Sequence, residues 1–261
     1  MLNYFSPDVP VLLVGAPGVG KTARVKAHFG HAEIVLTSTL VEEDIGGLPY
    51  REGAYDYRTI PAIFRRLNEA SAAGQTTVLF LDELDKARRS VADTLLTLVA
   101  SRQVGNAKLP DDTCIVAAAN PPEFGGGDGI SEAMGSRFSI VNYVPDIAAW
   151  ADWASTQLAG ASRAIIDAVR KGKMPIFDIT GEGLERRITS PRTLTLALRA
   201  IDRLGPDNVA VETLINGLLT PAVASQMLYL VRNADNEILD KSVSLIQRST
   251  LQNARQPLRL P

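Results

Sequence analysis

A chain of 261 residues with one cysteine, Cys114, cannot close an internal disulfide, and that scarcity fits a reducing compartment. No cationic stretch followed by an apolar run and a cleavage site opens the sequence, and no apolar run approaches the roughly 18 residues that would span a bilayer. The cytoplasm is therefore the expected setting, with no membrane. Net charge is nearly absent as well: 27 basic against 29 acidic residues leave −2, with no global pull toward nucleic acid or an anionic surface. A local basic patch remains compatible with that sum. Internal repeats and low-complexity segments are missing too. What is present is 46% hydrophobic and 21% charged, ordinary for a soluble globular chain and enough for one large or two modest domains.

Hydrophobic patterning divides the chain near residue 145. Before it, short apolar runs at Val9 to Val14, Glu33 to Thr37, Thr76 to Leu81, Thr113 to Ala119 and Phe138 to Val144 read as buried strands. Between them lie amphipathic stretches, Gly20 to Phe29, then Ile60, Ile63, Phe64 and Leu67, then Val91, Leu95, Leu98 and Val99. Strands that alternate with helices and are apolar on both faces predict a parallel sheet covered on both sides. Gly46 to Arg58 breaks the periodicity with glycine, proline and three tyrosines, a loop or small hairpin, and Gly105-Asn106 turns a second hairpin. Beyond Pro145 the strand signal fades. Trp150, Trp153 and Leu158, then Ile165, Ile166 and Val169, then Leu194, Leu198 and Ile201, then Leu214, Ile215 and Leu218 recur at helical spacing. The expected organisation is an α/β domain over 1–145, a smaller all-helical domain over 146–230 and an extension over 231–261. One more helix is possible in the extension, marked by Ile238, Leu239, Val243 and Ile246.

The run Gly15, Ala16, Pro17, Gly18, Val19, Gly20, Lys21, Thr22 is a phosphate-loop pattern, followed by Ala23, and it falls between a strand and a helix. Glycines let successive main-chain N–H groups turn toward phosphates, and the helix N-terminus adds positive potential. Lys21 would neutralise the β- and γ-phosphates, and the Thr22 hydroxyl would ligate Mg²⁺. About sixty residues on, the apolar strand ending at Leu81 delivers Asp82 and Glu83. Asp82 is the expected acid at the metal, and Glu83 the residue that orients and activates the attacking water. An acidic pair after an apolar strand, taken alone, is equally a favourable helix N-terminus. Asn120 ends the next apolar strand, where its amide could hold the same water or a γ-phosphate oxygen, or simply turn the chain before Pro121. No Asn-Lys-x-Asp string occurs, which favours ATP over GTP.

These residues, in this order, resemble the AAA+ superfamily and, more narrowly, MoxR-like ATPases. Supporting strings are Asp44 to Pro49, Leu79 to Lys86, Ala118 to Glu123, Ser136 to Phe138 and Ser190 to Arg192. The resemblance implies a P-loop NTPase fold, a parallel sheet flanked by helices with a smaller helical lid. By the same resemblance, Asn120 corresponds to a first sensor, Arg137 to an arginine finger reaching the neighbouring subunit's γ-phosphate, and Arg192 to a second sensor, with Arg186 and Arg187 as competitors. Gly46 to Tyr57 and Arg102 to Leu109 match two inserted hairpins, so Tyr50, Tyr55 and Tyr57 either grip a partner or pack on their own domain. A homo-hexamer is implied, along with a protein substrate and a partner carrying a von Willebrand A domain; nucleic acid is disfavoured. Relatives usually have a longer leader before the phosphate loop, which would leave the adenine pocket to Tyr4 or Phe5, the small domain or a neighbour. The functional alternatives are a small-molecule kinase, a DNA-associated motor and an ATP-gated scaffold with slow turnover.

Overall fold

Strand β1 (Val11–Val14) and helix α1 (Lys21–His28) frame the phosphate loop, and β2 (His31–Leu36) follows at once. A short helix α2 (Glu43–Gly46) leads to a hairpin of β3 (Pro49–Glu52) and β4 (Tyr55–Arg58). Helix α3 (Ala62–Ala72), β5 (Thr77–Asp82) and α4 (Arg89–Ser101) come next, then a second hairpin of β6 (Gln103–Val104) and β7 (Ala107–Lys108). Strand β8 (Cys114–Ala119), α5 (Glu132–Gly135) and β9 (Ser139–Asn142) complete this unit. The computed structural model describes residues 5–124, 129–158 and 162–233, and the chain divides into two units between Val144 and Pro145.

Five strands form one parallel sheet in the order β2-β5-β8-β1-β9. Alternation along each strand sends successive side chains to opposite faces. Leu12, Leu79, Leu81, Ile115 and Ala117 therefore meet Phe64 and Leu67 of α3 and Leu95 and Leu98 of α4. On the other face Leu13, Val78, Phe80, Val116 and Ala118 pack with Val25 of α1 and with Phe29. Burial on both faces is why these strands read as continuous apolar runs rather than as alternation. Both segments flagged as loop or hairpin are hairpins, with Tyr50 opposite Tyr57 in the first and Val104 opposite Ala107 in the second.

In the second unit, α6 (Ile147–Gln157) and α7 (Ser162–Arg170) precede β10 (Asp178–Thr180) and β11 (Arg187–Thr189), and α8 (Pro191–Leu204) and α9 (Val209–Leu218) follow. Residues 221–233 are also helical. Its core gathers the residues that recur at helical spacing, among them Trp150, Ile165, Leu194, Leu198 and Ile215. The expected helical unit thus carries one two-stranded antiparallel ribbon that periodicity missed. Three-residue strands are too short to show alternation, and the ribbon is anchored by polar groups: Thr189 Oγ1 lies 3.1 Å from Thr220 Oγ1, which donates to Asp178. The helix expected around Ile238 to Ile246 lies outside the described residues.

Strand β2 is tied to α3 by charge. Glu33, 8% exposed, receives two 2.7 Å hydrogen bonds from Arg66 and sits 2.9 Å from His31. Hydrogen bonds from Arg66 hold its carboxyl below the ordinary value of 4.5, against the opposing effect of burial. A depressed folded-state value means a stabilising contribution that is complete above pH 4.5 and is lost as the pH falls through the folded value. Glu33→Gln should therefore lower the melting temperature at pH 7, and the gap to wild type should narrow as the pH falls below 4.5; thermal melts from pH 7 downward measure it.

Candidate active site

The phosphate loop starts in a slot with no room for a side chain. A Cβ on Gly15 would lie 2.3 Å from the Tyr143 carbonyl oxygen, while Gly15 N donates to Ala119 O at 3.2 Å. Further along, Gly18 (φ 80°) and Gly20 (φ 105°) adopt left-handed conformations that side chains rarely tolerate. Gly20 is the N-cap of α1, so the loop's main chain turns directly into the helix N-terminus. Val19 is buried and anchors the loop, whereas Pro17 is half-buried and Ala23 faces out.

Lys21 and Thr22, the first two residues of α1, are aimed at the ends of the neighbouring strands. Lys21 is only 9% exposed: its Nζ donates to Gly15 O (2.6 Å), Ala16 O (3.1 Å) and Asn120 Oδ1 (3.1 Å). Thr22 Oγ1 reaches past β8 and donates to Asp82 Oδ2 at 2.8 Å, and Asp82 Oδ1 accepts from Glu83 N at 3.0 Å. Four residues placed by sequence at the phosphate chemistry, Lys21, Thr22, Asp82 and Asn120, thus form two hydrogen-bonded pairs at the carboxyl edge of the sheet. Parallel α/β sheets present their ligand crevice at that edge.

Glu83 stands in a conformation the sequence did not announce. Its φ of 55° and ψ of 43° are left-handed, uncommon for a residue with a side chain. Thr37, fully buried just after β2, donates through Oγ1 to both Asp82 O (3.1 Å) and Glu83 O (2.7 Å) and so holds the turn. The carboxylate is engaged on both oxygens, by Lys86 Nζ at 3.0 Å and by Ser38 Oγ at 3.3 Å. Thr37, Ser38 and Lys86 were not singled out from sequence. Only Lys86 had a local signal, its i,i+3 spacing from Glu83.

The remaining sequence candidates lie elsewhere. Arg137 is exposed two residues before β9 begins, at the amino edge of the sheet, and its Nη1 donates to the Ala133 carbonyl. A four-residue strand, about 13 Å, separates that edge from the phosphate loop, so Arg137 cannot serve its own chain's site. Arg192 is exposed in the first turn of α8, in the second unit, behind a capping box of Ser190 and Thr193 with Pro191 between them. Arg187 begins β11 and donates to Arg186 O. Phe5 packs on His28 and Phe29, with ring centroids 5.0 and 5.2 Å away, at the far end of α1 from the phosphate loop. Tyr4 lies outside the described residues.

The donor set fits a nucleotide with a divalent cation. Glycine main chain, a helix N-terminus and Lys21 suit phosphate oxygens, and the Thr22–Asp82 pair offers two oxygen ligands to a cation whose other ligands are phosphate and water. Among the described residues no cluster of three or more His, Cys, Asp or Glu side chains is arranged to hold a metal alone. No described helix is long and apolar enough to cross a membrane.

Residues 10–138 match the family described as AAA domain (dynein-related subfamily). An ATP-dependent zinc metalloprotease FtsH homolog from Helicosporidium sp. subsp. Simulium jonesii is 37% identical over 76 residues, 29% of this chain and 5% of that protein. Among solved structures, a RuvB variant from Thermotoga maritima is 15% identical with a TM-score of 0.44, covering 85% of this chain and 62% of that one. A putative ATPase from Cytophaga hutchinsonii is 15% identical with a TM-score of 0.40, covering 85% and 76%. NtrX from Brucella abortus in complex with ADP is 16% identical with a TM-score of 0.44, covering 84% and 51%. The chain spans a twentieth of its curated relative's length and about three-fifths of the RuvB chain.

Thr37→Val keeps the side-chain shape and removes the hydroxyl that bridges Asp82 O and Glu83 O. Glu83 O keeps its second donor, Lys86 N at 2.9 Å, so losing the hydroxyl should cost about 1 kcal/mol of unfolding free energy, read from urea denaturation.

Proposed function

We infer that the P-loop AAA+ fold of the N-terminal unit serves an ATPase in which ATP and Mg²⁺ bind at the carboxyl edge of the sheet and a second copy of the chain completes the site. The observation that carries this reading is the split between two edges. Lys21, Thr22, Asp82, Glu83 and Asn120 converge at one, while Arg137 stands exposed at the other.

On binding, Lys21 Nζ exchanges the Gly15 and Ala16 carbonyls for phosphate oxygens. Magnesium held by Thr22 Oγ1 and Asp82 would neutralise charge on the phosphates and orient them. Glu83 positions a water and accepts its proton as the oxygen attacks the γ-phosphorus, while the bond to the β–γ bridging oxygen breaks and ADP leaves with those electrons. Glu83 must first leave Lys86 and Ser38 to do so. The Asn120 amide faces the same space and fixes the water or a γ-oxygen. Arg137 from a neighbour meets the charge that develops on the transferred phosphoryl group. Arg192 is the proposed second sensor.

The finer reading is a MoxR-like ring, a homo-hexamer in the cytoplasm that remodels or assembles a protein partner, with a von Willebrand A domain protein as the proposed accessory. Its support is the motif set and the two hairpins at the stretches where that family carries insertions. The first hairpin presents Tyr50 stacked on Tyr57 at 5.6 Å between centroids, with Tyr55 69% exposed beside them. Stacked phenols with polar tips are suited to gripping a passing polypeptide.

Mixing tests the shared site. Lys21→Ala and Arg137→Ala should each be nearly inactive alone, the second by about 10³–10⁵ in rate. Lys21→Ala also removes three hydrogen bonds from the loop, so its fold is checked by thermal melting. Combined, the two variants should regain activity that rises with protein concentration, because some interfaces then pair an intact loop with an intact Arg137. Absence of rescue in well-mixed protein, or normal hydrolysis by monomeric Arg137→Ala, would sink the reading. Glu83→Gln should bind ATP and lose about 10²–10⁴ in turnover.

A further inference from the structure

The hydrogen-bonded ladder between β5 and β8 pairs Val78 through Leu81 with Cys114 through Ala117, and there it stops. Asp82, Glu83 and Asn120 all lie past the last rung, so strand pairing does not hold them in register with one another. One further bond joins the two segments beyond that point. Asp85, in the turn after β5, accepts through Oδ1 from the Asn120 main-chain N–H at 3.1 Å. Asp85 is 5% exposed, and among the described residues it forms no ion pair.

A buried carboxylate is a costly way to satisfy one N–H, because a neutral oxygen would meet the same donor without the desolvation of a charge. Stability alone does not account for the residue. Its placement does: Asn120 is the residue whose side-chain oxygen receives Lys21 Nζ at 3.1 Å. Whatever fixes the Asn120 main chain fixes the direction of its amide toward the phosphates, and sub-ångström placement of such groups governs phosphoryl-transfer rates.

We propose that Asp85 is a positioning residue, which anchors the Asn120 main chain to the turn carrying Glu83 so that the amide and the carboxylate address one water. It touches no substrate. The proposal rests on the ATPase reading above, and it concerns the chemical step rather than nucleotide affinity.

Steady-state ATP hydrolysis by Asp85→Ala, Asp85→Asn, Asn120→Ala and the double variant D85A/N120A tests it. D85A should lower kcat at least tenfold with KM within about threefold of wild type. D85N keeps an acceptor oxygen in place and should return kcat to within about threefold of wild type. In the N120A background D85A should cost less than about threefold more, since both act through one group. Should D85A fail to fold by circular dichroism, Asp85→Glu keeps the charge while displacing the acceptor, and it should show the same loss of kcat at constant KM. The proposal falls if a folded D85A or D85E retains wild-type kcat, if D85N is as impaired as D85A, or if the D85A and N120A losses multiply. Turnover that depends on Glu83 but not on Asp85 overturns this proposal alone. Wild-type protein with no Glu83-dependent turnover overturns the ATPase reading and this one with it.

Discussion

Gly15 N donates to Ala119 O, Tyr143 N donates to Val14 O, and the Gly15 α-carbon faces the Tyr143 carbonyl with no space for a further atom. All three contacts exist because β8, β1 and β9 run parallel and end at nearly the same level. That shared ending decides the site. The loop leaves the sheet through a gap that admits only glycine, curls through Gly18 and Gly20, and enters α1 with Lys21 and Thr22 facing the strand ends. A side chain at Gly15 would push β1 away from β9 and swing both residues off Asn120 and Asp82.

The protein supplies stand-ins for the charges that a nucleotide would bring. Loop carbonyls and an amide oxygen surround Lys21, a hydroxyl occupies Asp82, and Lys86 with Ser38 takes the Glu83 carboxylate. Nucleotide binding at such a site is an exchange of partners, so its net free energy is the difference between two sets of hydrogen bonds rather than the sum of one. In the proposed mechanism Glu83 would likewise have to change partners, which would separate binding from chemistry within one turn of chain.

The sheet was legible because burial on both faces writes each strand as an unbroken apolar run, and strand ends near Leu81 and Ala119 located the acidic pair and Asn120 to the residue. The phosphate loop was legible because only glycine meets its steric demands. Position across the sheet was not legible: nothing local in the sequence says that Thr22 reaches over β8 to a strand two places away. Nor does it say that Lys21 is folded onto its own loop, since two of its partners are main-chain carbonyls without sequence identity. Nothing in the sequence sets Asp85 apart from Asp82 and Glu83, although it is the one of these three acids that is buried. The β10–β11 ribbon escaped because its anchors are threonines brought together over thirty residues of chain. Nor was it legible that Phe5 packs on Phe29: an aromatic ten residues before the loop can reach either end of α1.

Cys114 occupies the start of β8 beneath the helix-covered face, where burial pushes its thiol up to about 11. Only about one such thiol in a thousand is ionised at pH 8, and the sulfur is shielded besides. For maleimide or disulfide chemistry the folded chain therefore behaves as a blank background without any cysteine having been removed. A single cysteine introduced at the tip of the tyrosine hairpin, or beside Arg137, would carry a fluorophore or crosslinker at one defined address.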